Sequence, residues 1–298
     1  SLSGIDALVV DLQDAGVRFY TYASTLRHVM EAAANHHVRV LVLDRPNPLD
    51  GVDVAGPVLS PPCQPRGAPP AAANLVNENA LPLRHGMTMG ELALLFNAEH
   101  HLGARLEVVP MRGWHRGDYF DRTGLPWTAP SPNLRNVDEA VLYPAVGLLE
   151  ATNLSVGRGT ETPFEVIGAP WIDGQTLAAA LRTPAVPGSG ASAGSVTFTP
   201  TTFTPRQAPY AGQRCGGVRI AVKNRALFDP VRAGLALAMT LHELYPKDWH
   251  FADLDKMVCD AKVLDALDAK RPLAEIASLW QTELDAFKAK REKYLLYP

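Results

Sequence analysis

The stretch IDALVVDLQD, residues 5–14, decides the fold. Its first six residues form a short apolar run, which is typical of a buried parallel strand, and polar side chains follow at once. Apolar residues between positions 26 and 33 then recur at helical spacing, and a second apolar run spans residues 38–43. Strand, helix and strand within about forty residues predict a βαβ unit and therefore a parallel, Rossmann-like sheet.

Polar clusters follow both predicted strands. The residues are Asp11, Gln13, Asp14 and Arg18 after the first strand, and Asp44, Arg45 and Asn47 after the second. Because ligands of such sheets bind outside the carboxyl ends of the strands, these clusters predict a binding or catalytic site. The alternative is that Asp44 and Arg45 pair with each other and brace a turn stiffened by prolines.

The segment around residue 88 carries a helix start signal. Residues 56–80 are rich in Pro, Ala and Asn without periodicity and predict a long surface excursion. Thr88 and Glu91 then form a capping box ahead of an apolar helix, so Glu91 is predicted to be a cap rather than an acid. His85, just before this helix, is either a packing residue or a catalyst.

A third predicted strand, residues 106–109, leads into a loop with two tryptophans. Trp114 and Trp127 lie among glycines, prolines and arginines, and Asn133 follows. Exposed aromatic rings stack on sugars, so this loop predicts a sugar-binding surface. The alternative is that both tryptophans plug the junction between two subdomains.

The segment 150–165, EATNLSVGRGTETPFE, concentrates charge, hydroxyls and glycine without apolar periodicity. Such a segment between two apolar ones is typical of a functional surface loop. Glu150, Asn153, Arg158 and Glu165 are therefore predicted to point into one cleft. The alternative is an irregular loop with a structural Arg–Glu pair.

The second half of the chain predicts mixed α and β structure. Strands are expected at 196–203 and 217–222, a linker-like loop at 184–195, and a helix opened by Asp229 and Pro230. We predict an α/β protein with a Rossmann-like domain at 1–133 and a smaller α+β domain at 134–298.

Composition excludes several classes of protein. The 298 residues carry a net charge of −3, so no basic surface predicts nucleic-acid binding. No apolar run reaches membrane-spanning length, and no signal peptide is recognisable. The three cysteines are odd in number and widely spaced, which predicts neither a disulfide framework nor a zinc site. Phosphate-binding loops, zincin motifs and serine-nucleophile elbows are absent from the sequence.

Long motifs resemble one bacterial family. They are DLQDAGVRFYTY, LDRPNPLDG, HGMTMGELALLFN, GLPWTAPSPN, LLEATNLSVGRGTETPFEVIGAPW and CGGVRI. In this order they resemble the DUF1343 family, the NamZ-type exo-β-N-acetylmuramidases of glycoside hydrolase family 171. The resemblance covers nearly the whole chain.

The resemblance implies an active site in the cleft between two domains. It implies release of terminal β-linked N-acetylmuramic acid (MurNAc) from peptidoglycan fragments such as MurNAc-GlcNAc saccharides, without a metal or cofactor, by an exported or lipid-anchored protein. Family members carry a further N-terminal portion with a Glu-His-Gly motif that this chain lacks. The chain is therefore expected to be either an N-terminally truncated hydrolase or a non-catalytic muropeptide-binding protein.

Site roles follow from the residues and the resemblance together. The predicted catalytic carboxylates are Glu150, Glu165, Asp14 and Asp11, with Glu150 preferred. A cation is needed for the lactyl carboxylate of MurNAc, and Arg18, Arg45 or Arg158 would serve. The remaining predicted substrate-binding residues are Tyr20, Asp44, Asn47, His85, Trp127, Asn133 and Asn153.

Overall fold

The computed structural model describes residues 2–60, 63, 75–76, 78–182 and 194–298. Internal contacts divide the described chain into two compact units. The first unit holds the described residues of 1–63, 73–130 and 282–298, and the second those of 131–281. The last segment of the chain thus belongs to the first unit by its contacts. The predicted domain boundary after residue 133 stays a prediction.

Strands and helices alternate along the described chain. The strands are β1 (Ala7–Val10), β2 (Arg39–Leu43), β3 (Ala55–Val58), β4 (Pro82–Arg84), β5 (Arg105–Val109), β6 (Val166–Ala169), β7 (Val196–Phe203) and β8 (Cys215–Val222). The helices are α1 (Tyr22–Asn35), α2 (Met89–Glu99), α3 (Val137–Val146), α4 (Gly174–Arg182), α5 (Pro230–Leu244), α6 (Asp255–Val258), α7 (Ala261–Asp268), α8 (Leu273–Ser278) and α9 (Gln281–Arg291).

The first unit is built on a parallel sheet with strand order β1-β2-β5. This sheet and α1 confirm the predicted βαβ unit. Helices α1 and α2 pack on each other and on β2, whose Val40 and Val42 are fully buried. The side chain of Val9 is 61% exposed, so the expected full burial of the first strand is wrong. Val9 points away from the face that covers Val40 and Val42, since neighbouring residues of a strand alternate between faces.

The start of α2 carries the predicted capping box. The amide of Glu91 donates to Thr88 Oγ1 at 3.2 Å, and the amide of Thr88 donates to the Glu91 carboxylate at 3.0 Å. Glu91 is fully buried and also forms an ion pair with Arg116, itself nearly buried. The prediction that Glu91 is a cap is confirmed, and the ion pair adds a second structural role.

The end of the chain packs into the first unit. The buried guanidinium of Arg291 donates to the carbonyl oxygens of Gly51 at 3.1 Å and Gly86 at 2.9 Å. The hydroxyl of Tyr297 donates to the carboxylate of Asp44 at 2.5 Å. These bonds join residues more than 200 positions apart, which no local sequence pattern reveals.

The second unit contains an antiparallel sheet with strand order β6-β8-β7. Helix α4 packs against β7 and β8, and α3 packs against α5. The side chain of Asp229 caps α5 by accepting from the amide of Arg232 at 3.0 Å, as predicted. The predicted α/β class is confirmed, with a parallel sheet in one unit and an antiparallel sheet in the other. The predicted loop at 184–195 and much of the excursion at 56–80 lie outside the described residues.

The cysteines differ from expectation. Cys63 and Cys259 are disulfide-bonded, and Cys215 is a free, buried thiol. The expectation of no disulfide is therefore wrong, because spacing along the chain does not reveal which cysteines are oxidised. None of the described helices has the length and apolar character needed to cross a membrane.

Candidate active site

A pocket lies at the carboxyl ends of the parallel strands in the first unit. Its volume is about 400 Å³, within the range of roughly 300–1,000 Å³ common for small-molecule sites. Residues that follow β1, β2 and β5 line it. The lining is Asp11, Leu43, Asp44, Arg45, Pro46, Met111, Arg112, Gly113, Trp114, Thr123 and Leu125. The predicted site residues Asp11, Asp44 and Arg45 thus lie together at the edge where the parallel strands end.

Asp11 and Arg45 form a two-pronged ion pair on the wall of this pocket. Arg45 Nε lies 2.5 Å from Asp11 Oδ1, and Nη2 lies 3.0 Å from Oδ2. The hydrogen bond from Arg45 lowers the pKa of Asp11, so this carboxylate stays ionised. The alternative that Asp44 and Arg45 pair holds only through the backbone amide of Arg45, which donates to Asp44 Oδ1 at 3.0 Å, because the guanidinium is bound to Asp11.

Asp44 is held by four donors, one of which is the backbone amide of Arg45 at 3.0 Å from Asp44 Oδ1. Its carboxylate accepts from Thr88 Oγ1 at 2.7 Å, from the amide of Gly90 at 2.7 Å and from the Tyr297 hydroxyl at 2.5 Å. Burial raises the pKa of Asp44 against these bonds. Burial and the neighbouring Asp44 also raise the pKa of Tyr297, so the phenol keeps its proton. Asp44 is fixed in place and ties the start of α2 to the pocket.

Asp14 and His85 lie together in the interior of the first unit. Asp14 Oδ2 accepts from the amide of Gly16 at 2.8 Å and lies 3.2 Å from His85 Nε2. His85 has no exposed surface, and its Nδ1 accepts from the amide of Met87 at 3.2 Å. This burial favours the packing role for His85 over a catalytic one.

Arg18 and Asn47 are also committed to backbone groups. Arg18 is 2% exposed, and its Nη1 donates to the carbonyl oxygens of Pro57 at 2.9 Å and Leu81 at 3.2 Å. Asn47 is 1% exposed and donates to the carbonyl of Met87 at 2.9 Å. Both side chains hold loops together, and neither presents a surface to a ligand.

Aromatic residues occupy two settings in the first unit. Tyr20 donates to the carbonyl of Pro130 at 2.5 Å, and half-buried Trp127 packs edge-on against Phe120 with ring centroids 4.9 Å apart. Trp114 is only 5% exposed and packs edge-on against Tyr297 at 5.1 Å. The expectation of an exposed Trp114 is wrong, since the chain end covers its ring.

Glu150 in the second unit is a carboxyl group whose pKa is raised by burial. It is half-buried and forms an ion pair with Arg158, whose guanidinium lies 5.5 Å from the ring centre of Phe164. Burial raises the pKa of Glu150, and the charge of Arg158 opposes that rise. Gly157, between them in sequence, has φ of +78°, a conformation that favours glycine. The Arg–Glu pair that the sequence offered as an alternative is therefore present. The pKa of Glu150 is raised even so.

The other predicted residues of the second unit have ordinary partners. Glu165 is half-buried and pairs with Arg219 at 2.7 Å. Asn153 uses its side-chain amide on backbone groups, accepting from the amide of His250 and donating to the carbonyl of Asp248, both at 2.8 Å. The half-buried Asn133 donates its backbone amide to Ser131 Oγ at 3.1 Å.

Arg112 is the pocket residue that sequence reasoning missed. Its position in the loop after the third parallel strand could have indicated it, because the loops after β1 and β2 carry the other charged pocket residues. Across the described residues, no three His, Cys, Asp or Glu side chains come together as a metal site requires.

One unit thus has a parallel sheet with a polar pocket at its strand ends, and the other carries a glutamic acid of raised pKa, so the chain is an α/β protein with carboxylate groups in candidate sites. Comparison with known proteins gives the family. The model for the N-terminal domain of exo-β-N-acetylmuramidase NamZ matches residues 1–138, and the model for its C-terminal domain matches residues 141–297. The chain belongs to the NamZ family, and so to the glycoside hydrolases.

Individual relatives agree with this assignment. The chain is 40% identical to the peptidoglycan β-N-acetylmuramidase NamZ of Bacillus subtilis over 299 aligned residues, 99% of this chain and 68% of that protein. Two crystal structures of DUF1343 family proteins from Bacteroides fragilis are also similar. One has a TM-score of 0.86 at 28% identity and covers 100% of this chain and 76% of its own. The other has a TM-score of 0.75 at 30% identity and covers 98% and 75%.

Proposed function

We propose that the chain is an exo-acting glycoside hydrolase that releases terminal β-linked MurNAc from peptidoglycan fragments in cell-wall turnover. The observation that carries this proposal is the match of both NamZ domains to consecutive parts of one chain. The similarity to a protein named as a peptidoglycan β-N-acetylmuramidase supports the same substrate class.

The carboxyl groups support this chemistry. Glycoside hydrolysis needs a carboxylic acid that protonates the leaving oxygen and a second group that stabilises the oxocarbenium-like transition state. An acid must keep its proton near neutral pH, and burial raises the pKa of Glu150 in that direction. We assign the proton-donating role to Glu150.

The test is hydrolysis of the disaccharide MurNAc-GlcNAc, with free MurNAc followed by mass spectrometry. The wild-type chain is expected to release MurNAc, and Glu150→Gln is expected to lower kcat about 10²- to 10⁴-fold, as loss of a general acid does. Activity that needs protonated Glu150 falls as pH rises through its raised pKa. The alkaline limb of the wild-type profile should therefore lie above the ordinary range of a glutamic acid.

The matched control is Glu161→Gln, which removes an exposed glutamate from the same loop. Glu161 pairs on the surface with Arg206 at 2.7 Å, so this variant should keep wild-type activity. Full activity in Glu150→Gln would exclude Glu150 as the acid. Binding of MurNAc-GlcNAc without any release by the wild type would favour the alternative of a muropeptide-binding protein.

We further propose that the protein works in an exported, oxidising compartment. Disulfides persist in such compartments and are rare in the cytosol, and Cys63 and Cys259 are disulfide-bonded. Fractionation of the producing cell, with immunodetection of this chain, tests the location. Recovery with the cytosolic fraction alone would contradict the proposal.

A further inference from the structure

We propose that Arg112 binds the carboxylate of the anionic sugar in the pocket of the first unit. The inference rests on the proposed function for its ligand class, and on the charges of the pocket for its residue. It adds a specificity residue to those that the sequence predicted.

The three arginines predicted for this role all have protein partners. Arg18 is 2% exposed and donates to backbone carbonyls. Arg45 is engaged by both oxygens of Asp11, and Arg158 pairs with Glu150. A ligand carboxylate would have to displace an existing partner from any of them.

Arg112 is placed differently. It lines the pocket, is exposed, and has no hydrogen bond or ion pair with another residue in the described parts of the chain. The other charged groups of the lining already have protein partners, since Asp11 pairs with Arg45 and four neutral donors hold Asp44. Arg112 is therefore the charged side chain of this lining whose guanidinium contacts no partner among the described residues.

The loop that carries Arg112 is fixed on both sides. The amide of Met111 donates to the Tyr297 hydroxyl at 3.1 Å, and the ring of Trp114 packs on Tyr297. Arg116 is nearly buried and pairs with Glu91. The anchored backbone holds the base of the Arg112 side chain at the pocket, so binding has to order the side chain but not the loop.

The chemistry of the pocket matches a carboxylated sugar. A guanidinium fork binds a carboxylate with two parallel hydrogen bonds, which gives orientation as well as affinity. Leu43, Met111 and Leu125 supply apolar surface beside it. A sugar that carries a lactyl ether presents an apolar methyl group and a carboxylate together.

The experiment compares an aryl β-glycoside of MurNAc with the same compound in which the lactyl carboxylate is converted to a carboxamide. The wild type should have the lower KM for the carboxylate. Arg112→Ala should raise that KM about 10- to 100-fold, the worth of a charged hydrogen bond. Its KM for the carboxamide and its kcat should stay near the wild-type values. Arg112→Lys should recover part of the preference as a point charge.

The matched control is Arg105→Ala. Arg105 begins β5, whereas Arg112 follows the end of the same strand, so both variants lose one exposed charge at opposite ends of the sheet. Arg105→Ala should keep the wild-type preference for the carboxylate. An unchanged KM ratio in Arg112→Ala, or a wild type that does not distinguish the two substrates, would overturn the assignment.

A second readout separates this inference from the proposed function. Calorimetry with free MurNAc and its carboxamide measures binding in the wild type and in both alanine variants. If no glycoside is cleaved, the proposed hydrolase function fails. Weaker binding of MurNAc by Arg112→Ala alone would still support the subsite, and equal binding by all three proteins would exclude it.

Discussion

Gly217 lies where β8 passes the backbone of β6 with no room for a side chain. A Cβ atom there would overlap the carbonyl oxygen of Ile167 and lie 2.8 Å from the Cα of Gly168. Because both obstacles are backbone atoms of a paired strand, the clash cannot relax by side-chain rotation. We expect Gly217→Ala to lower the free energy of unfolding by about 3 kcal/mol, at the upper end of ordinary overpacking. Urea unfolding followed by circular dichroism measures it.

Gly117→Ala is the control variant for Gly217→Ala. A Cβ at Gly117 would meet nothing within 4 Å, and this glycine does not have a positive φ. Its unfolding midpoint should match the wild type or exceed it slightly, since alanine restricts the unfolded chain. Equal midpoints for the two variants would show that β8 shifts freely away from β6. The sequence CGGVRI shows the glycines but not the strand that passes them.

At the scale of elements, the start of α2 is held by a local capping box, Thr88 with Glu91, and by a long-range ion pair of Glu91 with Arg116. Thr88→Ala removes a capping side chain and should lower the free energy of unfolding by about 1–2 kcal/mol. Glu91→Ala removes the same box and also leaves the guanidinium of Arg116 buried without its partner. That loss should reach about 3–5 kcal/mol, the range for breaking a buried ion pair from one side.

The double variant Glu91→Ala with Arg116→Ala shows whether the lost cap or the unpaired charge of Arg116 contributes more to the loss of stability. If the unpaired charge causes the larger loss, the double variant should be less destabilised than the sum of the two single variants. Additive losses would show that the two residues act independently. The capping box could be predicted because it spans four consecutive residues. The ion pair with Arg116, 25 positions away, could not.

At the scale of the whole molecule, too, the sequence predicts local features but not contacts between residues far apart in the chain. Periodicity and caps predicted the parallel βαβ unit, the helix after Asp229 and strands β7 and β8, because each signal is local. The burial of Trp114 and the setting of Asp44 depend on Tyr297, which lies 253 positions from Asp44. Sheet topology still brought Asp11, Asp44 and Arg45 to one pocket, since parallel strands end at one edge. The sequence does not show that Arg112 is the pocket arginine without a partner among the described residues, because that depends on contacts between distant residues.

The cysteines constrain the unfolded chain through disulfide formation, which a reductant removes. Cys63 and Cys259 are disulfide-bonded and Cys215 is free, so unfolding in iodoacetamide without a reductant should label one of the three cysteines. Unfolding after dithiothreitol should label all three. Reduction should lower the free energy of unfolding by about 2–4 kcal/mol, since the unfolded chain regains freedom. Thermal scans of the wild type and of Cys63→Ser with Cys259→Ser should then agree once the wild type is reduced.

Cys215→Ala serves as the control, because it removes a thiol that takes no part in the bond. Its thermal midpoint should still fall on addition of dithiothreitol, whereas the midpoint of the double serine variant should not respond. Three labels on the unreduced protein would show that the sulfur atoms are not bonded. That result would also remove the physical support for an oxidising compartment, while leaving the tests of Glu150 and Arg112 unaffected, since neither residue depends on the bond for its contacts.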